Sequence, residues 1–161
     1  YSLIKKKIKN LKVKYLKSSK LLTDDVAISA SIVAKDNKIR KIVYNFQKIC
    51  AYNPPKKYYG SILDGRDITS IIMKDAMFKF FITASIKIRA IRRFKEYKKL
   101  NKKISYKEVL KSLKTRDFSD KRRKYGPLIK TKDSILINTS KLSKTSCFKK
   151  IKHIMDRKIK A

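Results

Sequence analysis

The 161-residue chain reads as an α/β fold, a parallel sheet with flanking helices. Short runs of β-formers recur at 58–63, 77–83 and 134–138. Between them lie longer stretches with helical apolar spacing or helix caps, and strands joined through helices pair in parallel. Hydrophobic residues make up 42% of the chain, enough for one domain with a real core.

The elements follow in order. The first twenty residues are mostly Lys alternating with Ile, Leu, Val and Tyr, and Lys12, Val13, Lys14, Tyr15 and Leu16 alternate as a strand does. That strand is expected in a small antiparallel element. Asp24 and Asp25 suit a helix start, where acids are favoured by the dipole. Val26, Val33, Ile39, Val43, Phe46 and Ile49 continue at helical spacing, in two helices. Pro54 and Pro55 stop them. A strand at 58–63 then runs into a turn, and 77–83 is expected to be a buried strand. Ser85 caps a helix reaching about Lys98, and the Lys-rich span to Lys103 is a solvated loop. Ser105 and Glu108 have capping-box spacing for a helix running toward Asp117. Gly126 and Pro127 break the chain, 134–138 is a strand, and the last helix covers 145–158.

The formal charge is +33, from 45 Lys plus Arg against 12 Asp plus Glu, so an anionic partner is the first to consider. An A+T-rich genome writes Lys, Ile, Asn and Tyr into any protein, but it does not explain why Glu96 and Glu108 are the only glutamates. Nucleic acid is therefore a candidate partner, though not a required one. Cys50, Cys147 and His153 are too few for a disulfide framework or a metal site, which points to a reducing compartment and no metal held by the chain. No apolar run approaches the ~20 residues of a membrane span, and no signal peptide is visible.

Three clusters carry chemistry. In Asp64-Gly65-Arg66-Asp67 a turn follows an apolar run, and Arg66 offers a fork of donors suited to phosphate beside an acceptor at Asp67. Ser31 and Arg40 lie in the helical region before the prolines. Arg116, Asp120 and Arg123, spaced four and three apart, share a helical face presenting cation, anion and cation. A surface salt bridge or a solvated helix face would explain each cluster alone.

Together they resemble the bacterial cytidylate kinase family, a branch of the P-loop nucleoside monophosphate kinases. The resemblance runs from about Thr23 to Lys158. Beyond the three clusters it is carried by Ala30 to Ala34, Gln47-Lys48, Asp75-Ala76, Lys79 to Ser85, Arg89 to Arg93, Pro127-Leu128 and Ile137 to Ser140. It implies a P-loop kinase-like parallel sheet and transfer of the γ-phosphoryl group of ATP, with Mg²⁺, to CMP or dCMP in pyrimidine metabolism. By the family pattern Arg66 holds the acceptor's α-phosphate. Ser31, Arg40, Asp67 and Arg123 read the cytosine edge, and Arg116 with Asp120 holds the ribose. Arg66, Arg116 and Arg123 are the candidate catalytic residues, and Arg89, Arg92 and Arg93 are candidates for ATP beside a lid at about 94–104. Residues 1–22 would belong to the small nucleotide-binding insertion and 23–161 to the kinase core. A cytoplasmic monomer without a membrane partner is expected.

The family's P-loop, G-x-x-x-x-G-K-[ST], has no counterpart among Gly60, Gly65 and Gly126. Because the chain opens on Tyr1, the expectation is an N-terminally incomplete member, lacking the P-loop and first strand and inactive by itself. The alternative is a non-catalytic, basic RNA-binding or ribosome-associated protein derived from such a kinase.

Overall fold

A computed structural model describes residues 1–11, 18, 21 and 23–160. The strand expected at 12–16 lies outside the described residues. The chain divides into two compact units, Tyr1–Asp75 with Thr115–Ile129 and Ala76–Lys114 with Lys130–Ala161. No helix among the described residues is long and apolar enough to cross a membrane.

Unit 1 is helical. α1 (Ser2–Lys9) falls where only alternating Lys and apolar residues had been legible. α2 (Asp24–Val33) starts at the expected acids, with Thr23 Oγ1 accepting from the Val26 amide at 3.3 Å. α3 (Asn37–Tyr52) is separated from it by Asp36, whose Oδ1 accepts from the Ile39 amide at 3.0 Å. Asp36 also accepts from the Tyr1 hydroxyl at 3.0 Å, which ties α1 to the start of α3. That capping bond is the main reason its carboxyl sits below the usual range. α3 ends before the two prolines, as expected.

The segment 58–63 is not a strand. Tyr59 and Ile62 are fully exposed, and the Ser61 hydroxyl donates to the Cys50 carbonyl at 2.8 Å. β propensity reports fit to a packed, pleated surface, and the sheet among the described residues consists of two other strands. A short π-helical turn, Ile68–Ile72, follows the Asp-Gly-Arg-Asp turn and buries Ile68 and Ile72. Gly65 is needed for room: a Cβ there would lie 2.8 Å from Ile68 Cγ1.

In unit 2, β1 (Phe80–Thr83) pairs in parallel with β2 (Ile135–Asn138), Phe80 opposite Ile135 and Thr83 opposite Asn138. The parallel pairing agrees with the helix-separated strand pattern. β1 is shorter than expected and is not buried, for Ile82 is half exposed: with one neighbouring strand it gains little cover. Both ends of the pair are fastened. Lys79 is ion-paired with Asp133 before the first rung, and Thr139 donates to the Thr83 carbonyl through its amide at 2.7 Å and its hydroxyl at 3.1 Å after the last.

α4 (Ile86–Lys99) starts at Ser85, whose hydroxyl accepts from the Ile88 amide at 3.4 Å. α5 (Tyr106–Arg122) opens with the expected capping box: the Ser105 amide donates to Glu108 at 2.7 Å, and the Glu108 amide donates to Ser105 Oγ at 3.2 Å. It continues past Asp117. The unit's core joins Ala90 and Tyr97 of α4 to Val109 of α5, with Phe94, Ile104, Tyr106, Leu110 and Leu113 packed around them. α4 therefore ends at Lys99, close to the expected Lys98, and Phe94 and Tyr97 anchor that end. α6 (Lys144–Lys160) completes the unit.

Two outcomes follow for unit 2. Val109 is fully buried, so Val109→Ala should lower unfolding free energy by about 2 kcal/mol in urea titrations. The Lys79 ammonium, helped by the Thr131 hydroxyl, holds the Asp133 carboxyl down to about 2 from an ordinary 3.8. Its contribution is thus complete above about 3.8 and lost as pH falls through about 2. Carboxyl NMR titration should place its midpoint there, and Lys79→Met should move it upward.

Candidate functional site

Two buried carboxylates organise unit 1. Asp67 stands where the Asp-Gly-Arg-Asp turn enters the π-helical turn, and Asp120 lies on the last turns of α5. Both are under a tenth exposed. Burial of a charge is costly unless it is paired and hydrogen-bonded, and here arginines from three elements supply the pairing.

Arg40 of α3 is ion-paired with Asp67 through Nη2, and its Nη1 donates to the Ala34 carbonyl at 3.5 Å. Arg123, just beyond α5, joins the two acids: Nη2 lies 4.0 Å from Asp67 Oδ1 and Nη1 lies 3.7 Å from Asp120 Oδ1. Its Nε donates to the Gly126 carbonyl. Arg66 Nε is 2.8 Å from Asp120 Oδ2, and Arg116 Nε is 3.8 Å from the same oxygen.

The four guanidiniums differ in exposure. The Arg123 side chain is 7% exposed, whereas those of Arg66 and Arg116 are 37% and 36% exposed. Burial lowers the Arg123 pKa, the two carboxylates oppose that shift, and Arg40 and Arg66 add to it. An arginine remains a cation despite such a shift. Arg66 and Arg116 engage Asp120 through Nε, so their terminal nitrogens have no protein partner among the described residues. Four cations over two anions leave two positive charges in excess, with unused planar donors at the exposed end. That arrangement suits a doubly charged phosphate monoester.

Six of the seven acceptor-side residues expected from sequence thus form one network. The seventh, Ser31 on α2, meets α5 beside it: Ser31 Oγ lies 3.4 Å from Ser119 Oγ, next to Asp120. Arg89, Arg92 and Arg93 belong to unit 2 and have local partners. Arg89 Nε donates to the Ala84 carbonyl at 3.1 Å, and Arg93 pairs with Glu96 at 3.3 Å. Arg92 donates to Thr139 Oγ1 at 3.1 Å and to the carbonyls of Thr139 at 2.6 Å and Leu142 at 3.1 Å, tying α4 to the segment after β2.

Sequence reasoning missed Gly126 and Ser119. Gly126 has φ +60°, and a Cβ there would collide with both Arg40 and Asp67, coming 2.9 Å from Arg40 Cζ. Its backbone closes over the Arg40–Asp67 pair, and its carbonyl receives Arg123. The available signal was the scarcity of glycine, three in the whole chain.

The family model for cytidylate kinase matches residues 4–157. The chain belongs to the cytidylate kinase family. Among similar proteins, the cytidylate kinase of Clostridium botulinum (strain Langeland) is 41% identical over 129 residues, 80% of this chain and 57% of that protein. The cytidylate kinase of Clostridium tetani is 38% identical, covering 76% of this chain and 52% of its own length. That of Mesomycoplasma hyopneumoniae is 37% identical, covering 88% and 60%. The chain therefore spans little more than half the length of these cytidylate kinases. The P-loop kinase fold and its parallel sheet with flanking helices follow from the family.

Asp120 faces Arg66, Arg116 and Arg123, so Asp120→Asn leaves Arg123 buried beside a neutral amide. It should destabilise the protein by about 3 kcal/mol in denaturant titrations. A loss below about 1 kcal/mol would mean that the carboxylate does not organise the network.

Proposed function

We propose that this chain provides the acceptor-nucleotide site of a cytidylate kinase, which transfers the γ-phosphoryl group of ATP to CMP or dCMP to give CDP or dCDP. The carrying observation is the four-arginine, two-carboxylate network, with two excess positive charges and unused donors on Arg66 and Arg116. Phosphoryl transfer needs two polyanions brought into line with their charge neutralised, more than it needs covalent help from side chains.

In this reading Arg66 binds the α-phosphate of the acceptor. Arg116 and Asp120 hold the ribose, and Ser31, Arg40, Asp67 and Arg123 present donors and acceptors to the cytosine edge. A wrong base would leave such buried groups unpaired, which is how a polar pocket discriminates. Arg123, enclosed between the two acids, acts by fixing both carboxylates. Arg66 and Arg116, as the more exposed pair, are the groups able to follow charge on the acceptor phosphate.

The donor side is different. The family implies ATP with Mg²⁺, yet the chain has no G-x-x-x-x-G-K-[ST] loop. No group of three His, Cys, Asp or Glu side chains among the described residues could hold a metal ion. The residues present do not fit the magnesium-bound donor, and we derive no step through it. Arg89, Arg92 and Arg93 are the ATP candidates of this chain beside a lid at about 94–104, and Arg92 also ties α4 to the segment after β2. We place the activity in the cytoplasm, in a monomer with no membrane partner, with residues 1–22 in the small nucleotide-binding insertion and 23–161 in the kinase core.

Calorimetry with CMP tests the site without requiring turnover. Arg66→Ala should weaken CMP binding by at least about tenfold, the worth of a charge-assisted phosphate contact. It should affect cytidine, which lacks the phosphate, far less. Equal CMP affinity in the two proteins would remove Arg66 from the site.

A further inference from the structure

The acids of unit 2 are few and all engaged. Glu96 pairs with Arg93, Asp133 with Lys79 and Asp156 with Lys152, while Glu108 closes the capping box of α5. Against these four stand 23 Lys and Arg in the same unit. The imbalance is ordered on α6. At 100° per residue, Lys149, Lys150, His153, Arg157 and Lys160 fall within one face about 100° wide, and all are exposed. Cys147, Ile151, Ile154 and Met155 occupy the opposite face and are partly buried. Asp156, beside the cationic face, is ion-paired with Lys152 and also lies in the field of Lys160 and His153. Among the described residues no acid forms an ion pair with Lys149, Lys150, Arg157 or Lys160.

We propose that this face of α6 is a sequence-independent binding surface for nucleic acid, a function separate from the acceptor site. Successive turns of the helix present flexible ammonium and guanidinium groups in a row, as tracking a phosphate backbone requires, and binding would be driven by counterion release. Phe148, 67% exposed, lies about 150° round the helix from the centre of this face, next to Met155, and is no part of the surface. An anionic membrane would require the apolar side of the helix to enter the lipid interface, and there Cys147, Ile151, Ile154 and Met155 are already partly covered by protein, with Phe148 and Ile159 exposed beside them. Lys144, Lys152 and Lys158 lie elsewhere round α6, but Lys149, Lys150, Arg157 and Lys160 stand within about 100° of one another.

Fluorescence anisotropy with a uridine oligonucleotide over a range of NaCl concentrations tests the surface. The combined variant K149Q/K150Q/R157Q/K160Q should flatten the slope of log K against log salt by about 0.7 per charge, roughly three in all. Its circular dichroism and CMP affinity should be unchanged, since none of the four residues belongs to the acceptor network. Phe148→Ala, on the other side of α6, should leave both affinity and slope unchanged. The control K5Q/K6Q/K7Q/K9Q on α1 removes the same charge and should change the slope much less. An equal slope change in the control would mean diffuse charge and overturn the assignment to α6. Absence of oligonucleotide binding would overturn it too, and so would binding to phosphatidylserine vesicles alone that the α6 variant abolishes.

Discussion

The enclosure of Arg123 between Asp67 and Asp120 is the constraint on which unit 1 depends. A guanidinium with its side chain 7% exposed has given up most of its hydration, and two carboxylates with a backbone carbonyl replace the lost water. The acids in turn need more cation than one arginine provides. Arg40 arrives on Asp67 from α3, and Arg66 and Arg116 arrive on Asp120 from the turn and from α5. Each partner is justified by the burial of the next, so three separate stretches of chain converge on one small volume. The pairing also leaves an ordered surplus: the most buried cation is neutralised, while the two less buried ones, Arg66 and Arg116, retain donors for a ligand.

The main chain supports the same arrangement. The Leu128 amide donates to the Asp120 carbonyl at 2.7 Å, bringing the segment after α5 back alongside it. Gly126 closes that return with no side chain, at the one glycine with positive φ. Unit 2 is secured by comparable means on a smaller scale, with Arg92 and Thr139 after one end of the strand pair and Lys79 with Asp133 before the other.

What was legible in the sequence was chiefly what local chemistry decides. The capping box at Ser105 and Glu108, the cap at Ser85, the stop before Pro54 and the helix over 144–160 depend on neighbours a few residues away. The expected strand at 58–63 failed because a strand is defined by a partner, and Tyr59 and Ile62 have none beside them. β1 shrank for the same reason. The site was legible as residue types and spacing, since Arg116, Asp120 and Arg123 must share a helix face. That Arg123 would be enclosed while Arg66 and Arg116 stayed only partly buried was not legible, because burial is set by chain segments distant in sequence. Gly126 escaped for the same reason: its role is to make room for Arg40 and Asp67, about which the Gly-Pro pair says nothing.

Most of this molecule's acids hold something. Asp36 caps α3, Asp75 receives the Tyr52 hydroxyl, and Asp67, Asp120, Asp133, Asp156, Glu96 and Glu108 each anchor a cation or a cap. With 45 basic residues in the chain, another surface lysine gained or lost is close to neutral. Mutational tolerance is therefore lopsided: drift can keep adding positive charge, but few of the remaining carboxylates are spare. In such a chain a carboxylate is harder to replace than an ammonium.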